Sequence, residues 1–566
     1  MSEIYANLEF EQIPVHKSGE VEYEKSVATA YFLYRFARPL YVVRPTHPAQ
    51  VQDFIRHLIE YNKEKPSKSQ ISVTIKGGGH SYAGFSSTNK GILLDLSSMN
   101  KVKLNLDQQS KPKSVVIRGG ALWGHVYKQL IIGGHNGYMI PGGDCPTVGV
   151  SGFVLGGGLS FFSRSLGMGC DSLTEATIVT ADGRLVTVGK NDGRDTDEGR
   201  LFWALRGGGA GNFGIVVNLK MDLHRFEDEI NPKDTRTTVI AGRYTWYLES
   251  GEETGFMDTM DKFYTTDWSD SIAIHSSWLC DIQDTGSELA VRFIVYHNGT
   301  KRSFNEQLHK FIDQGGIFDG NREHRERLAD SLRSRSLEEP TTLFLHETLL
   351  AQWSEETQVF FPSDKSYKYF SSFVFERDKV KEITPIVKER TEAFRKQFRR
   401  QQGLLQVTVI HSGGKSGEPA PSDTAFSWRK ERCYTAYIMV LCKEKWLKED
   451  MKKFLVNFTN SLRRKSMDEK AAFINFADVT LQRDEHEEAY YGDNINKLRE
   501  VKQHWDPGNF FHYSQGIRVC APANLSDAND FYRPVSDEEI VHQQWENYPA
   551  ALPPTDGFPG IEGYPY

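Results

Sequence analysis

Cysteine is scarce in this chain: Cys145, Cys170, Cys280, Cys433, Cys442 and Cys520 are the six in 566 residues. None forms a C-x-x-C pair, which argues against a thiolate zinc site, and no metal is expected. Their wide spread argues against a disulfide scaffold. No apolar run approaches the roughly 20 residues needed to cross a bilayer, so no membrane partner is expected. The opening MSEIYANLEFEQIP lacks a positive patch leading into an apolar stretch. It is not a secretory signal as written, and a cytoplasmic location is expected. Three N-x-S/T sequons, at Asn298, Asn457 and Asn524, are what chance supplies in a chain this long and barely move that expectation. Charge of one sign is missing too. Lys and Arg number 68 against 75 Asp and Glu, mixed along the chain, for a net charge of -7. No basic stripe announces a nucleic-acid partner. With 39% hydrophobic and 25% charged residues, the chain can bury a substantial interior. Its length suits two to four domains, or two large ones.

Glycine is unevenly spread. Between Gly77 and Gly214 lie 29 of the 48 glycines. They punctuate strong apolar segments instead of pairing with serine in a flexible linker. ISVTI (71–75) reads as a strand running into GGGHSYAG. KSVVIRGG and FGIVVNLKMDL read as two more, and LTEATIVTADGRLVTV reads as a hairpin turning at Asp182–Gly183. Before them, HPAQVQDFIRHLIEYNKE carries helical spacing at Val51, Phe54, Ile55 and Leu58. Beyond about residue 225 glycine becomes sparse and aromatics frequent. TTVIAGRYTWYL, ELAVRFIVYH and CYTAYIMVLC alternate with amphipathic helices such as DKVKEITPIVKERTEAFRKQF and KEDMKKFLVNFTNSLRRK. That pattern predicts a sheet covered by helices on one face, an α+β arrangement. After Asn524 the tail is rich in Pro, acids and Tyr without periodicity, and reads as loosely ordered or an irregular strap. There is no internal repeat.

Four glycine clusters carry the chemistry: Gly77–Ser81, Pro141–Gly149, Gly156–Gly158 and Gly207–Gly214. Glycine lets backbone N–H groups approach a ligand closely, and successive N–H groups form concave anion sites. Four such turns suit a ligand with a pyrophosphate and a long body, such as a dinucleotide; the bland alternative is a domain with many tight turns. Two familiar phosphate motifs fail. Gly209, Gly211 and Gly214 have Rossmann spacing but lead into the apparent strand IVVNLKM, not a helix. VIHSGGKS near Lys415 resembles the end of a P-loop, but Val409 replaces its first glycine. Taken alone, His80 reads as a hydrogen-bonding loop residue and Cys145, before Pro146, as a small buried hydrophobe.

RPTHPAQVQDFIRHLI, KGGGHSYAG, GGDCPTVGVSGFVLGGGLSFFSRSLGMGCDSLTEATIVTADGRLVTV and LFWALRGGGAGNFGIVV together resemble the berberine-bridge-enzyme-like FAD-linked oxidases, within the vanillyl-alcohol-oxidase class. The resemblance covers about residues 39–225 and resumes at AYYGDNINKLREVKQHWDPGNFFHYSQGI, 489–517; the middle is weaker and the tail unmatched. It implies an α+β fold with a PCMH-type FAD-binding domain and a substrate domain of antiparallel sheet and helices. The division is 1–38 N-terminal extension, 39–225 FAD domain, 226–480 substrate domain, 481–520 return to the FAD domain around Asp506, Pro507 and Asn509, and 521–566 tail. In the family, the histidine of the GGGHS-type loop bonds to the flavin 8α carbon and the cysteine of the C-P-T-V-G loop to flavin C6. His80 and Cys145 match, so a doubly tethered FAD is expected, a state that fixes the ring and raises its redox potential. The resemblance further assigns Gly77, Gly78, Gly79, Ser81, Tyr82, Gly84, Gly143, Thr147, Val148, Gly149, Gly152, Gly156, Gly157, Asn212, Gly214, Ile215 and Asn509 to the cofactor. Val148 lies where the family places the residue guarding oxygen access.

One departure matters. The family often carries N-Y-x-D, with that Tyr a base in several branches; here the stretch reads Phe473-Ile474-Asn475-Phe476-Ala477-Asp478, and Phe476 cannot take a proton. A second family position for a base, counted without gaps from Phe426-Ser427-Trp428-Arg429, falls on Tyr437. Tyr437 is the candidate catalytic base, with an ordinary strand aromatic as the alternative. A Tyr, with a pKa near 10, needs neighbours that lower it for that work. The resemblance implies an oxidase passing hydride from a C–H beside O or N to flavin N5, with O2 returning as H2O2. The aromatic-rich middle suits a hydrophobic or phenolic small molecule, in a biosynthetic step of secondary metabolism. A cyclase or isomerase without net oxidation, and a non-catalytic flavin-bearing binding protein, are the competing readings. The oligomeric state is not legible.

Overall fold

A computed structural model describes residues 8, 12–66, 69–227, 236–249, 251–282, 289–316, 319–341, 365–482 and 485–519. Cys520 and the expected irregular tail 521–566 lie outside the described residues. The fold is α+β. Among the described residues its first half holds two main sheets, besides a short pairing of His224–Arg225 with Tyr138–Met139. In one, Tyr41–Val43, Ile92–Asp95 and Val73–Lys76 pair in parallel, with Val15–His16 added antiparallel at the edge. The Pro48–Asn62 helix, with Pro at its first position, packs beside this sheet. Val51, Phe54, Ile55 and Leu58 are all buried, on the face their spacing predicts. The second sheet is antiparallel, in the order Val102–Leu106, Pro112–Arg118, Ile215–Asp222, Leu173–Val179, Leu185–Gly189. Its last two strands form the predicted hairpin, and Gly183 supplies the positive φ of +76° that the turn needs.

The second half is built on a seven-stranded sheet. The order is Ser336–Pro340, Thr238–Tyr247, Ala290–His297, Ile272–Asp281, Gly403–His411, Cys433–Cys442, Tyr367–Glu376, antiparallel throughout. Side chains alternate between its faces. On Cys433–Cys442, Tyr434, Ala436, Ile438 and Val440 enter a core with Phe256, Phe304, Leu328, Val387 and Phe454 from the covering helices. Tyr437 and Met439 point the other way, to a cavity shared with the first half.

Buried cations lock the halves together. Arg164, from the glycine-rich half, donates Nε to Ile272 O (2.8 Å) and Nη1 to Ser412 O (2.9 Å). Its Nη2 reaches Trp268 O, Ser269 O and Asp270 Oδ1 at 3.1–3.2 Å. Arg429, from the other half, grips both carboxylate oxygens of Asp171 at 2.7 and 3.0 Å. This two-pronged geometry is the strong form of the pair. After the Ile495–Trp505 helix, the chain returns to the glycine-rich half. Buried Lys502 donates to Asp506 Oδ2 (2.6 Å), Asn212 O (2.7 Å) and Phe511 O (2.5 Å), so the buried charge is fully bonded.

Candidate active site

A cavity of about 700 Å³ lies between the glycine loops and the inner face of the large sheet. The Gly77–Tyr82 loop leaves the Val73–Lys76 strand and runs against the 145–149 loop. The approach is possible because neither contact residue has a side chain. A Cβ on Gly78 would sit 2.4 Å from Gly149 N. The two loops bring His80 and Cys145 to a single hydroxyl: Thr147 Oγ1 is 2.9 Å from His80 Nε2 and 3.2 Å from Cys145 Sγ. Burial holds the His80 imidazole down at about 4, so it is neutral near pH 7 and its ring can act as a nucleophile.

The residues present fit a long, flat, phosphate-bearing cofactor. Gly77, Gly152 and Gly211 all line the cavity, yet added Cβ atoms there would meet almost nothing. Among the described residues the nearest atom to such a Cβ is 3.7 Å away at Gly77 and 3.9 Å at Gly211, and there is none within 4 Å at Gly152. The space these glycines leave open belongs to the cavity. Gly78, Gly79, His80, Ser81, Tyr82, Gly143, Cys145, Val148, Gly149 and Gly214 also line it. Other sequence-assigned positions stand behind this wall. A Cβ on Gly156 would collide with Asn475 Oδ1 at 1.9 Å, while Asn475 Nδ2 donates to Phe153 O (2.8 Å). Gly157 accepts Cys170 N (2.9 Å), and Gly84 packs under the Tyr34 ring. Asn212 brackets the C-terminal return, donating to Gly208 O and Tyr513 OH and accepting Ile517 N. Ile215 is core at the start of its strand, and Asn509 turns the chain after Asp506.

The opposite wall is made of side chains. Strand register aligns Thr245, Arg292, Ser277, Thr408 and Tyr437 in one row across five strands. Ser277 Oγ and Thr408 Oγ1 are 2.9 Å apart, and Gln406 Nε2 donates to Thr408 Oγ1 (2.8 Å) and to the Tyr437 hydroxyl (3.2 Å). Above Tyr437 stands an aromatic group. Tyr82 stacks on Phe370 (4.0 Å) and Phe476 (5.6 Å), and Phe476 lies 5.0 Å from Tyr437. Thus the family base position holds an apolar ring, and Tyr437 faces the same space. Tyr31 completes the wall, edge-on to Tyr82 (5.2 Å) and Phe370 (5.4 Å).

Sequence reasoning missed Tyr31, His275, Gln406 and Thr408. Gln and Thr two apart in the otherwise apolar GLLQVTVIH were the available signal for the last two. Among the described residues, no group of three or more His, Cys, Asp or Glu could hold a metal ion. No described helix is long and apolar enough to cross a membrane.

An FAD binding domain model matches residues 39–189, and a berberine and berberine-like model matches 472–518. An uncharacterized FAD-linked oxidoreductase, YgaK of Bacillus subtilis, is 27% identical over 80% of this chain and 86% of its own. A carbohydrate oxidase of Microdochium nivale is 25% identical over 89% and 93%. Among solved structures, berberine bridge enzyme from Eschscholzia californica superposes with a TM-score of 0.71 at 18% identity, covering 92% of this chain and 99% of that one. Xylooligosaccharide oxidase from Myceliophthora thermophila gives 0.70 at 20%, covering 92% and 100%. Fold, loops and domain matches define an FAD-binding oxidoreductase. Within that class the chain is similar to berberine-bridge-like FAD-linked oxidases, whose family model matches its C-terminal segment and whose solved structures share its fold.

Proposed function

We propose that the chain tethers FAD through both His80 and Cys145 and oxidises an aromatic or phenolic small molecule in secondary metabolism. The observation that carries the tethers is Thr147, whose hydroxyl bonds His80 Nε2 and contacts Cys145 Sγ from loops distant in sequence. Bound there, the flavin supplies the two-electron chemistry, accepting hydride from a C–H beside oxygen or nitrogen and returning electrons to O2 as H2O2.

The chain's own residues place the substrate and move its proton. Tyr82, Phe370, Phe476 and Tyr31 present ring faces and edges that suit a planar substrate. Tyr437 is the base in this reading. The amide of Gln406 donates to its oxygen and fixes the hydroxyl in place. Thr408, bonded to the same amide, orients Gln406. The polar row of Thr245, Ser277 and Thr408 supports a second reading, a polyhydroxylated substrate, and the Microdochium relative is named a carbohydrate oxidase.

The test begins with acid denaturation of the purified protein and peptide mapping. Flavin mass on both the His80 and Cys145 peptides is expected; flavin in the supernatant sinks the double tether. A peroxide screen with phenolic alcohols, alkaloid-like amines, glucose and cellobiose then separates the two substrate readings. Product formed without O2 uptake would instead assign a cyclase or isomerase.

A further inference from the structure

His275 sits on the inner face of the Ile272–Asp281 strand, within the cavity wall and outside the machinery described so far. It is 6% exposed, and its ring stacks on Phe161 at 4.3 Å and 20°. Its Nε2 is buried and has no hydrogen-bond partner among the described residues. On the same floor Ser277 and Thr408 bond each other, and Gln406 bonds Thr408 and Tyr437. A buried polar atom without a partner is uncommon and calls for an explanation. Burial holds the imidazole at about 3, so near neutral pH it offers one donor and one acceptor and no charge. Arg243 lies in the same cross-strand row, beyond Ile294, so fixed positive charge stands farther out along the wall.

We propose that His275 is a substrate-binding residue that hydrogen-bonds a neutral hydroxyl, carbonyl or amide on the far part of an extended substrate. The inference rests on the reading of this cavity as the substrate site, and it adds the substrate's length. His275 lies two strands from Tyr437 and one two-residue step from the row that contains it. Two strand spacings of about 4.8 Å and a step of about 6.8 Å put them roughly 12 Å apart along the floor. A single ring at Tyr437 does not span that distance. A molecule of two linked rings does, with Phe161 fixing the imidazole plane at its far end.

The test uses the flavin-loaded enzyme with His275→Phe and His275→Leu, so that failure of one to fold leaves the other. Removing a nitrogen that waits for a ligand raises the melting temperature of the substrate-free enzyme, by about 1–3 °C. The flavin absorption spectrum stays as in the wild type. With the best substrate of the peroxide screen, KM rises about tenfold or more while kcat changes less than about threefold. His275→Gln, which carries an amide to a similar reach, restores KM to within about threefold. A lowered or unchanged melting temperature in both variants means the nitrogen already has a partner in solution, and overturns the proposal. A shifted flavin spectrum hands the partner role to the cofactor, and an unmoved KM removes the substrate contact; either one also overturns it. The melting arm needs no turnover, so it separates failure of this proposal from failure of the oxidase reading.

Discussion

The wall contributed by residues 77–214 is rich in glycine, whereas the wall contributed by residues 238–442 has none among the described residues. On the first, Gly77, Gly152 and Gly211 leave space open and Gly78 lets two loops touch. On the second, Tyr437, Gln406, Thr408, Ser277 and His275 project from a regular sheet. Loops packed through glycine tolerate little change and suit a ligand that never changes. A sheet face keeps its frame when its side chains are exchanged, and suits a ligand that differs between relatives. Substitutions on the first wall are therefore felt in folding and cofactor loading, and those on the second in turnover and selectivity.

That contrast can be broken by experiment. The largest effect is expected from Gly78→Ala, whose methyl would press on Gly149 backbone at 2.4 Å. A loss of about 3 kcal/mol or more is expected, seen as little soluble flavin-loaded protein. Tyr437→Phe tests the other wall. Turnover falls about 10²–10³-fold with flavin content and melting temperature nearly unchanged, read by peroxide release and absorbance. Full activity would remove Tyr437 as the base.

Gly152→Ala sharpens the distinction. The residue lies in the short Val150–Leu155 helix with nothing within 4 Å. Alanine favours the helix by up to about 1 kcal/mol, so the polypeptide keeps or gains stability while flavin occupancy falls. Equal loss of both would mean Gly152 is structural and not a cradle residue.

Acid should reveal the large sheet's buried imidazoles, His275 on its cavity face and His411 on its helix face. Burial depresses His275 to about 3 and also lowers His411, whose ring stacks on Tyr434. The unfolded chain protonates near pH 6.5 while the folded one does not, so it binds more protons in that window. Their contribution is present above about pH 6.5 and is lost as pH falls toward 3. Melting curves should show it, with His411→Phe flattening the slope. The smallest effect belongs to Lys415→Ala. Lys415 pairs with Glu418 at 2.7 Å on the surface, with both side chains about half exposed. A change under about 1 kcal/mol and unaltered flavin content are expected, as suits a P-loop look-alike that binds no phosphate.

Legibility in the sequence followed the same division. Glycine clusters are visible in sequence because few other residues tolerate such contacts, and their loops do converge on the cavity. Long amphipathic helices and strands such as Cys433–Cys442 were visible because one face must be apolar. The roles within the glycine clusters were not visible. Gly152 opens on the cavity and Gly156 packs under Asn475, a difference that tertiary contact alone creates. His275 was hidden because HSS interrupts the alternation expected of a half-buried strand. Here both faces are buried, one by helices and one by the cavity wall, so polar residues sit on each.

Tyr31 has a practical consequence for anyone cloning this gene. The matched FAD binding domain begins at residue 39, which invites an expression boundary there. The segment before it is stitched into the site: Ala30 N bonds Gly79 O (3.1 Å), and Lys76 Nζ donates to Ser26 O and Ala28 O. A chain started at 39 would leave the buried Lys76 ammonium without those carbonyls and strip Tyr31 from the rings above Tyr437. Such a product would carry every recognisable motif and still have an open-sided site, and its inactivity would be blamed on the wrong substrate.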